Sequence, residues 1–307
     1  MSGKAEMAGG AYPIPLPDEA VPLRRGRHTL GCLTQAAGGA VRYAGRSLAG
    51  RRGERTPQAS VAEYERRWAE VEGQARWHAA ATVAEASGLS SYGTRQLHAV
   101  LEFVPCRVPA YAFFQWRARK LGAIFRAHHG PSVPVAEIGC GAGKNLLALA
   151  SAGYSRLGGY DPVRPAVRCV STQARHFGLS IQAGLFDLLR PEPAALAGLR
   201  GQVLFTNHVI EQLPRDVPTA VETLLRAEPL EVIHIEPCPE LLKPWRSVLD
   251  LATWLHTQAR DYQRTLLSEL ARRQELGQLT VLEVTPLGYA PRPRSLPTLI
   301  RWRPGRP

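Results

Sequence analysis

The chain has 307 residues, of which 45% are apolar, and a formal net charge of +12. This length fits one large domain or a domain with a substantial extension, and the apolar fraction excludes wholesale disorder because it can fill a core. The sequence holds no apolar run of the roughly 18 residues that a membrane span requires, so none is predicted.

The positive charge is concentrated at the two ends of the sequence. Residues 1–60 hold nine basic and four acidic residues, and residues 292–307 hold five arginines and no acid. Residues 61–291 are nearly balanced, with 24 basic and 22 acidic residues. Because the ends carry no aromatic–basic binding motif, we interpret them as solvated tails and do not expect a nucleic-acid partner.

The five cysteines are scattered along the chain and form no C-x-x-C pair. This usage argues against a disulfide framework and against a structural zinc, so we predict no metal and a reducing, cytoplasmic location. The first residues show no apolar segment of the kind that a secretory signal contains. The arginine, alanine, glycine and proline bias is typical of a GC-rich bacterial genome.

Residues 1–58 are rich in glycine, proline and arginine, and we predict a disordered basic tail. Order is expected to begin near Ser60, which has capping-box spacing with Glu63. Residues 59–130 then predict a helical cover that includes a helix over 110–128, with apolar residues recurring at helical intervals.

From Pro134 onward short apolar runs alternate with helical stretches, which predicts βα units and a mostly parallel sheet over 131–307. The last two apolar runs lie close together and should pair as a reversed, antiparallel hairpin. A helical insertion is predicted over 243–276, with a break near His256. The seven expected strands are 135–138, 157–160, 180–185, 202–206, 230–235, 279–285 and 296–302.

The sharpest motif follows the first of these strands and reads Ala-Glu-Ile-Gly-Cys-Gly-Ala-Gly, with Glu137 before Gly139, Gly141 and Gly143. A glycine turn between a strand and a helix lets the backbone and the helix N–H groups approach a ligand. The third glycine comes one residue too early for a dinucleotide-binding loop, and no Walker lysine–serine pair is present. The motif resembles motif I of the class I S-adenosylmethionine-dependent methyltransferases.

This resemblance implies a Rossmann-like fold and S-adenosylmethionine (SAM) as cofactor. It places Gly139, Gly141 and Gly143 around the methionine part of the cofactor. Glu137 is expected to shape the loop or to reach the amino group of the cofactor through water.

The resemblance also assigns residues after the next three strands. Asp161, which ends the second strand, is expected to accept the two ribose hydroxyls. Asp187, after the third strand, is expected to read the adenine amino group, with Phe186 against the ring. Asn207, after the fourth strand, is expected beside the cofactor.

The segment after the fourth strand should face the methyl acceptor, and it contains His208 and Glu211. The Asn/Asp-Pro-Pro-Tyr/Phe signature of exocyclic amine methyltransferases is absent from the sequence. A histidine near its reference pKa of about 6.5 suits a general base, and a glutamate three residues on can orient it. The alternatives are that His208 packs against the cofactor or caps the next helix, and that a carboxylate acceptor needs no base.

Together these patterns predict an α/β methyltransferase that O-methylates a small organic molecule in bacterial natural-product biosynthesis. The helical insertion is expected to form a lid, with a dimer interface as the alternative, so a homodimer is possible. The rival functions are an RNA or ribosome methyltransferase that uses the basic tails, an enzyme for a peptide or carrier-bound intermediate, and a non-catalytic cofactor-binding protein.

Overall fold

A computed structural model of the chain describes residues 12–48, 56–74, 76–89, 93 and 95–305. The helices in this part are α1 (Arg25–Leu48), α2 (Pro57–Gln74), α3 (Val83–Gly88), α4 (Ala110–His128), α5 (Lys144–Ser151), α6 (Arg164–His176), α7 (Pro193–Ala197), α8 (Val217–Arg226), α9 (Val248–Arg260) and α10 (Leu266–Glu275). The strands are β1 (Val21–Pro22), β2 (Gln96–Leu101), β3 (Val104–Pro109), β4 (Val135–Ile138), β5 (Leu157–Asp161), β6 (Ile181–Leu185), β7 (Val203–Asn207), β8 (Glu231–Pro237), β9 (Leu279–Pro286) and β10 (Pro297–Pro304).

The central sheet has seven strands in the order β6-β5-β4-β7-β8-β10-β9. The first five run parallel, and β10 pairs antiparallel with both β8 and β9. This arrangement confirms the predicted α/β class, the mostly parallel Rossmann-like sheet and the reversed C-terminal hairpin. The carboxyl ends of the five parallel strands meet at one edge, which is where ligands bind in open α/β sheets.

Helices cover both faces of the sheet, and the middle strands are therefore buried on both sides. On one face Phe205 of β7 packs edge-on against Phe125 of α4, with ring centroids 5.1 Å apart. On the other face Leu204 joins a cluster that includes Leu224 of α8 and Leu266 of α10. Burial on both faces explains why these strands read as short continuous apolar runs in the sequence.

The expectation of a disordered tail over residues 1–58 is wrong for residues 56–58, where α2 begins, and for residues 12–48. Within this part, β1 pairs with β3, and α1 packs along α9. At Gly39 an added Cβ would lie 3.0 Å from the Cβ of Leu255, so the glycine permits close approach of the two helices. Glycines lower the intrinsic propensity of this segment, but tertiary packing outweighs that propensity. The remaining residues of the predicted tail, 1–11 and 49–55, lie outside the described residues.

The segment before α1 is bound to the core through buried polar contacts. Trp116 donates its indole N–H to the carbonyl of Pro15 over 3.0 Å. Lys120, which is completely buried, donates to the carbonyl of Tyr12 over 2.7 Å and to the carboxylate of Glu102 over 2.5 Å. These partners account for a lysine inside an apolar core, since buried charges need both a counter-charge and hydrogen bonds.

Residues 59–130 are not purely helical, because β2 and β3 form a hairpin in the middle of the predicted cover. The turn consists of Glu102 and Phe103, whose φ angles are 47° and 62°. Two consecutive residues in the left-handed region form the kind of turn for which Asn-Gly is the usual sequence signal. The hairpin was missed because neither residue is one that sequence rules associate with such a turn.

The expected helical insertion contains α9 and α10, with the break after Arg260 rather than near His256 as predicted. Asp261 ends α9 with a φ of 52°, and its carboxylate accepts from Arg215. His256 lies inside the helix and is buried. Among the described residues no helix has the length and apolar character of a membrane span.

Candidate functional site

The loop between β4 and α5 has a backbone that only glycine tolerates at its turning points. Gly139, Gly141 and Gly143 have φ angles of 74°, 51° and 76°, all in the left-handed region. An added Cβ would lie 2.4 Å from the Val209 side chain at Gly139 and 2.5 Å from the Trp68 indole at Gly141. The three predicted glycines therefore build a loop that neighbouring segments approach closely, with Gly143 preceding the first turn of α5.

Asp161 connects the end of β5 to this loop. Its carboxylate accepts the backbone N–H of Gly141 over 2.9 Å and that of Val163 over 3.1 Å. Burial outweighs these hydrogen bonds and raises the pKa of Asp161 to about 6. A carboxylate placed so holds the glycine loop in position and still has lone pairs for a ligand, since each oxygen accepts more than one donor.

Glu137 is buried behind the loop rather than in the wall of a cavity. Its carboxylate accepts from the side-chain amide of Asn145 over 2.5 Å, and the Asn145 carbonyl in turn accepts from Arg117 over 2.6 Å. Burial raises the pKa of Glu137 to about 8, and its Oε2 has no hydrogen-bond partner within the described residues. Asn145, in the first turn of α5, thereby links Glu137 to Arg117.

A cavity of about 350 Å³ lies at the carboxyl ends of β4, β5, β6 and β7. Six of the eight expected cofactor residues line it, whereas Glu137 and Gly143 do not. These six are Gly139, Gly141, Asp161, Phe186, Asp187 and Asn207. Helix α2 contributes Tyr64, Arg67 and Trp68 to the opposite wall. We call this the cofactor cavity.

The residues of the cofactor cavity fit S-adenosylmethionine. Gly139 and Gly141 leave space that a side chain would fill, and Asp161 and Asp187 supply acceptors for hydroxyl and amino groups. Phe186 and Leu188 are buried and supply apolar surface beside Asp187. Asp187 also accepts the backbone N–H of Leu189 over 2.8 Å, which fixes the turn after β6.

His208 lies directly after β7 and next to Glu211. The His208 Nδ1 is 3.3 Å from the Glu211 carboxylate, and the His208 φ of 59° is left-handed. Burial lowers the pKa of His208, but the nearby carboxylates of Glu211 and Glu236 outweigh that effect and raise the pKa above its usual value. The structure therefore brings the two predicted catalytic residues together, with Glu211 able to orient the imidazole.

Glu236 is a site residue that the sequence analysis did not identify. This completely buried carboxylate near the end of β8 accepts the backbone N–H groups of Val209 and Ile210, over 2.8 and 3.1 Å, and that of Glu211 over 3.3 Å. It also accepts the hydroxyl of Thr206 over 2.9 Å. Burial and the charge of Glu211 raise the pKa of Glu236 to about 7. The available signal was an acid at the end of a fifth parallel strand.

A second cavity, of about 450 Å³, adjoins the cofactor cavity. His208, Arg67, Trp68 and Arg117 line both, so His208 lies where the two meet. The second cavity has an aromatic wall and one further cation, Lys144, which donates to the carbonyl of Leu89. The aromatic residues are Trp68, Trp77, Phe113, Phe114 and Tyr289. We call this the acceptor cavity.

Comparison with known proteins gives matches to solved structures alone, because no protein-family model and no curated protein sequence matches the chain. Magnesium protoporphyrin IX methyltransferase from Synechocystis PCC 6803 with bound S-adenosylhomocysteine (SAH) is 15% identical, with a TM-score of 0.48 over 63% of this chain and 84% of that one. The mitomycin 7-O-methyltransferase MmcR is 20% identical, with a TM-score of 0.45 over 64% of this chain and 56% of that one.

A third match is the N-methyltransferase NodS from Bradyrhizobium japonicum WM9 in complex with SAH. It is 14% identical, with a TM-score of 0.45 over 63% of this chain and 88% of that one. Sequence identities this low support a comparison of folds but not of activities. The strand order and the reversed hairpin of this chain are those that the sequence resemblance to class I SAM-dependent methyltransferases implies.

Proposed function

We propose that this chain is a SAM-dependent methyltransferase that methylates a hydroxyl group of a small organic molecule. The observation that carries the proposal is the position of His208, which lines both the cofactor cavity and the aromatic acceptor cavity. A group at this junction can touch both reactants of a transfer between the cavities. A bacterial natural-product pathway, a cytoplasmic location and a homodimer remain predictions from the sequence.

When bound, S-adenosylmethionine supplies an electrophilic methyl group on a positively charged sulfur. The residues of this chain position the acceptor hydroxyl and take its proton. His208 accepts that proton on the imidazole nitrogen that does not face Glu211, and the Glu211 carboxylate stabilises the imidazolium that forms. Glu236 keeps His208 in place, because it binds three consecutive backbone N–H groups directly after it.

The acceptor cavity supports a small and largely apolar substrate. Its volume lies within the range of about 300–1,000 Å³ that small-molecule sites occupy. Trp77 and Phe113 are buried and offer flat surfaces on which an aromatic ring can stack. Trp68 on α2 packs over Gly141 and lines both cavities, so it limits the access of water to the junction.

Equilibrium binding of SAH tests the cofactor part of this proposal. We expect one molecule to bind per chain, and the Asp161→Ala substitution to weaken binding about 100-fold or more, since it removes charge-assisted hydrogen bonds worth about 1.5–3 kcal/mol each. Asp216→Ala is the matched control, because Asp216 lines neither cavity. Unchanged SAH affinity in Asp161→Ala would contradict the assignment of Asp161 to the ribose hydroxyls. Absence of SAH binding to the unaltered chain would overturn the proposal.

A further inference from the structure

The wall of the acceptor cavity contains two buried hydrogen-bond donors that no described residue satisfies. Trp77 is 7% exposed, and its indole Nε1 has no hydrogen-bond partner within the described residues. Tyr289 is 4% exposed, and its hydroxyl makes no hydrogen bond with the described part of the chain. Buried polar side chains are nearly always hydrogen-bonded, so each of these two donors indicates a ligand or a water molecule at that place.

Tyr289, which follows β9, is held in place by contacts within the chain. Its neighbour Ala290 exchanges backbone hydrogen bonds with Val100 of β2, over 2.9 and 3.0 Å. The Tyr289 ring packs edge-on against Trp116 of α4, with ring centroids 5.8 Å apart. A donor that is already ordered loses little conformational entropy when a ligand binds, which favours a specific contact at this position.

The Tyr289 hydroxyl belongs to the same part of the site as the proposed general base. Tyr289, His208 and Arg117 all line the acceptor cavity, and the charge of Arg117 acts on both of the other two side chains. Burial raises the pKa of Tyr289 to about 12, so its hydroxyl keeps its proton at physiological pH. A neutral phenol of this kind can donate a hydrogen bond to an oxygen of the molecule whose hydroxyl group meets His208.

The charged groups of the acceptor cavity are also mostly donors. Arg67, Arg117 and Lys144 line the cavity, whereas Glu211 is the one acid in its described lining. That carboxylate faces His208. A substrate that complements this wall therefore presents hydrogen-bond acceptors along its apolar body. A substrate with only apolar edges would leave the two buried donors unpaired, which is unfavourable.

We propose that the acceptor cavity recognises carbonyl oxygens on the aromatic body of the substrate, with the Tyr289 hydroxyl and the Trp77 indole N–H as donors. This inference rests on the proposed function and narrows its substrate class to hydroxylated aromatic carbonyl compounds. Tyr289 and Trp77 belong to different hydrophobic clusters, so the two donors come from separate parts of the wall. Together they hold a substrate in one orientation, with its hydroxyl group at His208.

A matched pair of bicyclic phenols tests the proposal on the chain saturated with SAH, with binding measured by isothermal titration. The probes 7-hydroxychromone and 2-naphthol share their ring shape and hydroxyl position, but only the chromone has a carbonyl and a ring oxygen. We expect the ratio of chromone affinity to naphthol affinity to fall at least about fivefold in Tyr289→Phe and in Trp77→Phe, as the loss of one neutral hydrogen bond would give. The ratio cancels the stacking surface that Trp77→Phe removes for both probes.

Two control substitutions assign the effect to the acceptor cavity. Tyr111→Phe matches the first variant and Trp245→Phe the second, because both residues are exposed and line neither the acceptor cavity nor the cofactor cavity. Both controls should keep the affinity ratio of the unaltered chain. A ratio unchanged in both Tyr289→Phe and Trp77→Phe, or no binding of the chromone to the SAH-saturated chain, would overturn the inference. Absence of SAH binding to the unaltered chain would instead reject the proposed function.

Discussion

At the two ends of the central sheet, the pKa values of buried carboxylates are shifted in opposite directions. At the amino end, the completely buried Glu231 begins β8 and accepts from Arg301 over 2.7 Å and from Arg303 over 3.2 Å, with His129 3.3 Å away. Burial acts to raise its pKa, but the nearby His129 imidazole and the Arg301 guanidinium outweigh burial and lower the pKa to about 2. This acid is held as a charged group by three cationic or potentially cationic partners.

At the carboxyl end, three buried acids lack such compensation. Glu137, Asp161 and Glu236 accept hydrogen bonds from amide, backbone and hydroxyl donors, and within the described residues none of these donors is an arginine or a lysine. Burial raises the pKa values of all three, to about 8, 6 and 7 respectively. Strongly perturbed acids at one edge of a sheet are typical of functional sites. The comparison thus separates an end of the sheet where a buried acid is paired with cations from the end that carries the candidate site.

The largest expected effect comes from Glu231→Gln. The substitution removes a counter-charge of Arg301 near the core. Breaking a buried ion pair in this way costs about 3–5 kcal/mol in the free energy of unfolding. Denaturant unfolding measures the loss. The affinity for SAH should stay the same in the folded variant, because the cluster lies at the opposite end of the sheet. A loss below about 1 kcal/mol would contradict a stabilising role of the Glu231 ion pairs.

The second effect concerns catalysis at the carboxyl end. His208→Ala should lower turnover about 100-fold or more, since general bases contribute roughly 100- to 10,000-fold, with SAH affinity within about threefold. Release of SAH from S-adenosylmethionine, measured with a panel of phenols and phenolic acids, reports the turnover. The exposed His78, which lines neither cavity, gives the control His78→Ala with full activity. Full turnover in His208→Ala would show that His208 is not the general base.

Glu236→Gln should have a smaller effect, about tenfold on turnover, because the amide keeps one acceptor while its N–H₂ group opposes the backbone N–H groups of the turn. Glu236 also contributes to the raised pKa of His208. The pH profile of turnover should therefore shift to lower pH in this variant, a change that a purely structural role would not produce. An unshifted pH profile with normal turnover would contradict the proposed action of Glu236 on His208.

The smallest effect is expected for Glu137→Gln, the same substitution as at Glu231 but at the other end of the sheet. A carboxyl whose folded pKa is raised above its ordinary 4.5 loses its stabilising contribution as the pH rises from 4.5 toward about 8. The substitution should lower the free energy of unfolding by about 1 kcal/mol or less at neutral pH. Between pH 4.5 and about 8 the melting temperature of the variant should decrease less steeply than that of the unaltered chain. A slope equal to that of the unaltered chain would contradict the raised pKa.

The part of the fold that was predicted from sequence is the part with a strong local signal. The strand Val135–Ile138 and the helix Ala110–His128 match their predicted bounds, because continuous apolar runs and helical periodicity are features of short segments. Helix α1 was missed because its glycines lower its intrinsic helix propensity. Its packing along α9, with Gly39 close to Leu255, has no local signal in the sequence. The β2–β3 hairpin was missed because Glu102 and Phe103 are not usual turn residues.

The candidate site likewise contains residues with a local sequence signal and residues that depend on tertiary contacts. The sequence predicts the glycines from a motif of fixed spacing and Asp161 from its place at the end of the second strand. It predicts His208 and Glu211 because they follow the fourth strand three residues apart. Glu236 depends on contacts between β8 and the end of β7 with the segment that follows it, which lie 25 to 30 residues apart in sequence. No local pattern marks such contacts. Arg292 and Arg294, which the sequence analysis interpreted as part of a solvated tail, line a small cavity together with His208 and Glu211.

A crystal structure with SAH tests the central claim most directly, since the claim is that His208 lies between a cofactor cavity and an acceptor cavity. The account predicts the adenine beside Phe186 and Asp187, the ribose hydroxyls on Asp161, and the sulfur directed at His208 and the acceptor cavity. SAH bound elsewhere, or with its sulfur turned away from His208, would contradict it.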